Sequence, residues 1–477
     1  MKRNTLVLGL LAATLATGGT GGFLWWRAQE QRAEAFAAAI PAQPDLSTWP
    51  APMRQRIEAA ERRLSTSPIE GLAELARLYH ANGFFAEAAQ CYTGLQRLEP
   101  QDARWYHLHA TILAGYGDTE PALPLWRRAV ALAPDYLPAR LRLGDVYLKR
   151  NDFAAAERIY RDILATRPDE SYAQLGVARC EFEAGRWEKA RALLEPLVAK
   201  TNYMLGYDLI VTVFERLGME EQARAVRGRA RDSGAYRDPV DPWSDQLADD
   251  CYDTYRLSLA SGAAQRNSDI PLAVRRIEQA LALAPDQATL HFQRANLYLD
   301  TKAYGKARQG YERCTVLKPD FSDGWARLTY VCETVGDRPA ADRALSEGLK
   351  HCPDSPGLHL QYARWLVRDK RPEEAVREFR ESIRLRPNEA DAYLGLATTL
   401  IALKRNEEGI AAVDQALIAE PSHPAALSIR TFNAIVGGNE PEARRWLRQA
   451  ENQPRVERRD LDQLRQAFEQ QFGHPYR

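Results

Sequence analysis

The sequence predicts an all-α protein built as an array of helical hairpins. Two residue combs and the composition carry that expectation. Pro100, Pro134 and Pro168 stand 34 residues apart, as do Pro285, Pro319, Pro353, Pro387 and Pro421, each closing an apolar helical stretch such as "VALAPDY" or "IRLRPNE". A second comb runs twelve residues upstream of these places: Ala88, Ala122, Ala156, Ala190, Ala223, Ala273, Ala307, Ala341, Ala375, Gly409 and Ala443. Segments rich in Ala, Leu, Arg and Glu favour helix over strand. A repeat of this length marks a stacked array, so the 477 residues need not divide into separate globular domains.

At the N-terminus, Lys2 and Arg3 precede an uncharged run of 22 residues from Thr5 to Trp26, which as a helix is long enough for a bilayer core of about 30 Å. Trp25 and Trp26 close it as interfacial aromatics would. Residues 1–26 are therefore expected to be a transmembrane signal anchor, with the rest of the chain exported to a periplasmic or other extracytoplasmic space. The alternative is a cleaved secretory signal centred on Leu6–Ala16. Residues 27–68 are expected to hold a linker and a capping helix, "APMRQRIEAAERRL".

Within each unit a first helix, such as "ARLRLGDVYLKR", leads through a turn residue (Gly83, Gly117, Asn151, Gly185) into a second helix such as "AAAERIYRDILAT". That is a helical hairpin. The comb residue must be small because the helices cross there, and one extra methylene forces strain of about 1–3 kcal/mol. Tyr92, Trp126, Tyr160, Ile277, Tyr311, Phe379 and Leu447, four places further on, fill the groove. A lone helix of this length is marginal in water, so each hairpin must bury its face on its neighbours.

In the unit Leu137–Glu170 the small, small and proline places are Gly144, Ala156 and Pro168, with Tyr147, Tyr160 and Ile163 at the large apolar places. This pattern resembles the tetratricopeptide repeat (TPR). The resemblance implies a right-handed superhelical solenoid of about eleven hairpins, starting near residues 69, 103, 137, 171, 204, 254, 288, 322, 356, 390 and 424. It divides the chain into a first block of five units (69–236), an insertion (237–253), a second block of six units (254–456) and a C-terminal capping helix (457–477) carrying Leu461, Leu464, Phe468 and Phe472. In this family the first helices line a concave, protein-binding face. The residues so placed are Arg104, Arg142, Asp145, Arg179, Phe292, Asn296, Arg327, Tyr330, Arg364 and Arg368. Arginine with aromatics suits the anchoring of peptide partners. The carboxylate clamp by which some members hold a chaperone C-terminus is not matched, because Arg327 and Gly357 stand where Asn and Lys are needed.

The comb skips once: Ala223 to Ala273 is 50 residues, one period plus 16. The unit before the skip is degenerate, with Arg227 at a large apolar place. The excess, "DPVDPWSDQLADDCYD", has Asp241-Pro242 as a helix start. Trp243, Leu247, Cys251, Tyr255 and Leu259 then recur every fourth residue beside an acidic row of Asp245, Asp249 and Asp253. One continuous helix satisfies both rows, so the insertion is expected to lengthen the next first helix after a short linker. Its six aspartates suit a solvated acidic helix start favoured by the helix dipole; the alternative, with Trp243 and Tyr252 as aromatic anchors, is a docking feature, and the spacing matches no EF-hand loop.

Lys plus Arg balance Asp plus Glu at 64 each, which argues against nucleic acid as a partner. The six cysteines contain no CxxC or CxxCH, so neither a zinc ribbon, a thioredoxin-type pair nor a haem attachment is written here. Cys314 and Cys332 fall at neighbouring places in adjacent units, as two buried thiols or, in an exported chain, a disulfide. His107 and His109 point to different helix faces, and no HExxH, GxSxG, Walker loop or GxGxxG occurs. No metal, cofactor or catalytic residue is expected. The expected function is a non-enzymatic, membrane-tethered scaffold for protein or peptide partners. An assembly factor for envelope, polysaccharide or cytochrome maturation is the alternative by analogy, and a metal-binding or enzymatic role a distant one.

Overall fold

The computed structural model describes residues 20–201, 204–230, 239–453 and 455–476, and among them every regular element is a helix. Helices pair in succession. Hairpin 1 joins Pro68–Ala81 to Phe85–Leu98, hairpin 2 Ala103–Gly115 to Thr119–Leu132, and hairpin 3 Leu137–Lys149 to Phe153–Thr166. Hairpin 4 joins Ser171–Glu183 to Trp187–Thr201, hairpin 5 Met204–Arg216 to Glu220–Ala230, and hairpin 6 Thr254–Arg266 to Ile270–Leu283. Hairpins 7 to 11 are Ala288–Asp300 with Tyr304–Leu317, Ser322–Thr334 with Arg338–His351, Pro356–Arg368 with Pro372–Leu385, Ala390–Ala402 with Asn406–Ala419, and Pro424–Val436 with Glu440–Glu451. Two compact units result, one running to Pro285 and holding hairpins 1–6, the other starting at Asp286 and holding hairpins 7–11.

Every hairpin turns at the same place in the repeat. Gly83, Gly117, Asn151, Gly185, Gly218, Ser268, Lys302, Gly336, Lys370, Lys404 and Gly438 all have φ between 57° and 87°. The first helix ends in a Schellman pattern: in hairpin 3, Asp152 N–H reaches the Tyr147 carbonyl at 2.9 Å and Asn151 N–H the Leu148 carbonyl at 3.0 Å. Glycine takes this left-handed conformation freely; serine and lysine do not.

The comb residues are where the helices touch. Ala88, Ala122, Ala156, Ala273 and Ala307 are fully buried, and so are Tyr92, Tyr160 and Tyr311 four places on. A buried tyrosine hydroxyl needs a polar partner. Tyr160 donates to Asp145 (2.8 Å), Tyr311 donates to Asn296 (2.6 Å), and Tyr92 pairs with His80 (3.1 Å). The Tyr160 ring is clamped between glycines: a Cβ added at Gly144 would stand 2.7 Å from it, and one at Gly176 of the next hairpin 2.6 Å.

Each unit has a covered end. Helix Ala51–Arg63 buries Met53, Ile57 and Ala60 beside hairpin 1, and helix Arg458–Phe472 buries Leu461, Leu464 and Phe468 beside hairpin 11. A further helix, Thr20–Ala39, runs across residue 26 and seats Ala39 on Gly94, with the Gln90 side-chain amide donating to the Ala38 carbonyl at 2.8 Å. The sequence-predicted membrane segment lies up to residue 19 outside the described residues. Among those described, no helix is long and apolar enough to cross a membrane.

The insertion differs from the expected continuous helix. Asp241 does cap a helix opened by Pro242, accepting from Ser244 N–H at 3.3 Å, but that helix ends at Asp245 and a 3₁₀ turn, Gln246–Asp250, follows it. Cys251 is then extended, and Asp253 starts hairpin 6 afresh by accepting from the Tyr255 and Arg256 N–H groups at 2.8 and 3.1 Å. The predicted apolar row is therefore split: Leu247 and Cys251 are buried, whereas Tyr255 and Leu259 are exposed. Two effects outweigh the helical period. Asp253 competes for backbone donors as a cap, and Asn82 of hairpin 1 pairs with the main chain at the break, accepting from Tyr252 N–H (2.6 Å) and donating to the Asp250 carbonyl (2.9 Å). The expected linker begins within residues 231–238, outside those described.

All six cysteines carry free thiols, Cys314 and Cys332 among them, and both are buried. The disulfide alternative for that pair is thus not realised.

Two glycine exchanges test this packing in opposite directions. Gly176→Ala, which helix propensity alone would favour by about 1 kcal/mol, should destabilise by about 1–3 kcal/mol through the Tyr160 clash, whereas Lys370→Gly should stabilise by about 0.5–1 kcal/mol by relieving a left-handed lysine. Chemical denaturation of both variants measures the signs.

Candidate functional site

In the first unit, the face lined by the first helices is filled by the chain's own insertion. Trp243, half-buried, stacks on Tyr136 with ring centroids 3.5 Å apart and meets the edge of His107 at 5.6 Å. Tyr136 donates to Asp241 at 2.5 Å and accepts from Trp243 N–H at 3.0 Å. Trp126 directs its indole N–H at His107 Nδ1 (3.3 Å), so the ring proton sits on Nε2 and is donated to Asp241 (2.7 Å). Burial alone would raise the Asp241 carboxyl, but the hydrogen bonds from His107, Tyr136 and Ser244 lower it to about 2.

Further along, Asp250 receives Arg56 at 2.9 Å and Arg77 at 3.1 Å. Buried Arg276 of hairpin 6 binds the Asp249 carboxylate and, at 3.0 Å, the Asp245 carbonyl. Of the expected acidic row, Asp249 is taken by Arg276 and Asp253 by the cap of hairpin 6, while Asp245 contributes only its carbonyl; among the described residues no group of three or more His, Cys, Asp or Glu is arranged to hold a metal ion. Arg256 of hairpin 6 lies over the Phe85 ring of hairpin 1 at 4.9 Å, so the insertion brings the unit's last hairpin back beside its first.

A cavity of about 890 Å³ continues past Val240, Asp241 and Asp245 between hairpins 2, 3, 4 and 6, and Arg142, Asp145, Arg179 and Lys149 line it. Of these, Asp145 is occupied by Tyr160, Tyr172 (2.9 Å) and Arg142 (3.4 Å). Arg104 is held outside by Asp102 at 2.5 Å and lies 4.8 Å over the Trp105 ring.

The second unit presents a different face. Phe292 is packed against Tyr311 and Phe321, and Asn296 is taken by Tyr311. Arg327 and Tyr330 are exposed. Arg364 pairs with Asp391 of the next hairpin at 2.8 Å, and Arg368 with Glu333 of the previous one at 2.6 Å. Exposed pairs of this kind contribute little to stability. On the same set of first helices Tyr330 (49% exposed), Val367 (42%), Phe432 (52%) and Val436 (60%) leave apolar surface in water. A cavity of about 630 Å³, lined by Ile401, Ile410, Ile429, Phe432, Val436 and Leu464, opens between hairpins 10 and 11 and the last helix.

Asn82, His107, Tyr136 and Arg276, which hold the insertion, were not among the sequence candidates. One signal pointed to Arg276: apart from Glu378, the corresponding places elsewhere hold small or apolar residues such as Cys91, Leu125, Ile159, Ala344 and Ala412, so a charge buried there demands an internal acidic partner. Nothing comparable marks Asn82, whose role depends on contact with residues about 170 positions away.

Profiles described as tetratricopeptide repeat match residues 113–175, 150–202 and 366–431, and a second such profile matches 262–320. The TPR repeat-containing protein PA0015 of Pseudomonas aeruginosa is 31% identical over 78 residues, 16% of this chain and 74% of that protein. The chain therefore belongs to the tetratricopeptide-repeat family, whose members act as protein-interaction scaffolds or adaptors. It is also similar to the heat shock protein sti1 homolog of Schizosaccharomyces pombe (35% over 95 residues, 20% of this chain and 16% of that protein). A longer match is to cellulose synthase operon protein C of Pseudomonas fluorescens (26% over 357 residues, 70% and 27%). The chain thus spans under two thirds of the length of the first curated relatives it matches. Among solved structures, yeast Tom70 aligns at 13% identity and TM-score 0.38, covering 85% of this chain and 97% of that one.

Two partly buried histidines give the first unit an acid sensitivity. Burial, aided by the Arg256 charge, lowers His80 to about 3, and burial lowers His109 to about 4. Both stay neutral when folded but bind protons below their ordinary value of 6.5 when unfolded, so stability falls as pH drops below that value, by about 1.4 kcal/mol per pH unit for each. Denaturation between about pH 7 and pH 5 should show this slope, and His80→Gln with His109→Gln should flatten it.

Proposed function

We propose that this chain is a non-enzymatic, membrane-tethered scaffold that holds protein or peptide partners on the first-helix face of its second unit. One observation supports this reading above others: on the first helices of this unit Tyr330, Val367, Phe432 and Val436 are left 42–60% exposed, and Phe432 and Val436 line an apolar cavity. Exposed apolar side chains on helices that also carry arginine suit a partner-binding surface. In the first unit, the corresponding polar groups are engaged with the chain itself.

The tether rests on the uncharged run Thr5–Trp26 behind Lys2 and Arg3, and with it an extracytoplasmic location for the repeats; secretion after cleavage of this segment is the other outcome. A second reading, assembly of an exported polysaccharide, draws support from the 26% identity to cellulose synthase operon protein C over 70% of this chain.

Affinity capture from detergent-solubilised membranes tests the scaffold. The full chain should recover a stoichiometric protein partner, and Arg364→Glu together with Phe432→Ala should reduce recovery by about tenfold or more, the loss expected of an interface anchor. Undiminished recovery would move the site off this face, and recovery of no partner would contradict the scaffold. On intact membranes, before detergent is added, release of the chain by alkaline carbonate would contradict the tether.

A further inference from the structure

The insertion is bound the way a ligand is bound. Asn82 contacts it through main-chain atoms alone, accepting from Tyr252 N–H and donating to the Asp250 carbonyl, so this grip does not depend on which side chains the occupant carries there. Specificity comes from four other contacts: Tyr136 and His107 receive the Trp243 ring and the Asp241 carboxylate, and Arg77 and Arg276 receive Asp250 and Asp249. The occupant is short, one four-residue helix followed by a five-residue 3₁₀ turn. Trp243, its largest side chain, is only half-buried.

Beside Val240, which is 67% exposed, a cavity of about 890 Å³ runs along Arg142, Lys149 and Arg179, with Asp145 and Glu183 in the same wall, so polar groups of both signs stand next to the seat of the Asp-Pro-Trp stretch.

We propose that the groove of the first unit is a receptor for a short acidic peptide bearing a tryptophan, and that residues 241–253, coiled as helix and 3₁₀ turn from Pro242 to Asp250, are its resident occupant, displaced when a partner protein offers a segment of the same chemistry. The proposal rests on the scaffold reading and assigns it a second, self-occupied site. Occupancy in cis lowers the apparent affinity of any competitor by the fraction of time the groove is filled. The partner must therefore bind better than the resident segment or arrive tethered nearby.

The test uses a fluorescent peptide of residues 239–253 carrying Cys251→Ser, titrated onto the full chain by anisotropy. An emptied chain, Asp241→Ala with Trp243→Ala, should bind the peptide at least tenfold more tightly than the wild-type chain, and adding Asn82→Ala or omitting the peptide's tryptophan should abolish the gain. Equal binding by both chains, or no binding by a folded emptied chain, overturns the proposal. A second measurement needs no groove variant: in the wild-type chain Cys251 is buried within the occupant, and excess peptide should speed its alkylation severalfold, read by mass spectrometry at that residue. An unchanged rate identifies the segment as a permanent part of the fold and also overturns the proposal. If these arms fail while partner capture still depends on Arg364 and Phe432, the scaffold reading stands and only the receptor is lost.

Discussion

The side-chain amide of Asn82, pairing with the main chain at Asp250 and Tyr252, determines how the first unit is organised. A chain leaving helix exposes N–H and C=O groups that cannot stay buried unpaired. Asn82 is 3% exposed and supplies both partners, which allows the insertion to break its helix inside the groove. From that break the chain emerges at Asp253, caps hairpin 6, and places Arg256 over Phe85. The sixth hairpin therefore belongs with the first five, although the comb of alanines pauses before it.

The hairpins and their internal contacts were open to reading from the sequence because each is specified locally. A small residue at Ala156, a ring at Tyr160 and a turn at Asn151 lie within one repeat and recur every 34 residues, so period alone exposes them. The insertion occurs once, and its helical spacing misled for a physical reason. The row Trp243, Leu247, Cys251 fits a helix, but its partners, Tyr136 and Asn82, lie more than a hundred positions away. The candidate site residues divide along the same line. Asp145 and Asn296 occupy first-helix places suited to partner binding, yet each accepts a bond from a buried tyrosine of its own hairpin, a demand set by the neighbouring helix and invisible in a list of exposed-looking polar residues.

The two units thus treat the same repeat geometry differently. In the first, charge and aromatic surface are satisfied internally, through Asp241, Trp243, Asp249 and Asp250. In the second, the first helices carry arginines in exposed pairs that partners can exchange at low cost, next to apolar side chains left in water.

Site-resolved amide hydrogen exchange on the wild-type chain tests the seating of the insertion most directly. The Tyr252 and Trp243 amides, bonded to Asn82 and Tyr136, should exchange orders of magnitude more slowly than a free chain. Exchange of both at the free-chain rate, with hairpin 1 still protected, would show that the insertion does not occupy the groove and would contradict this account.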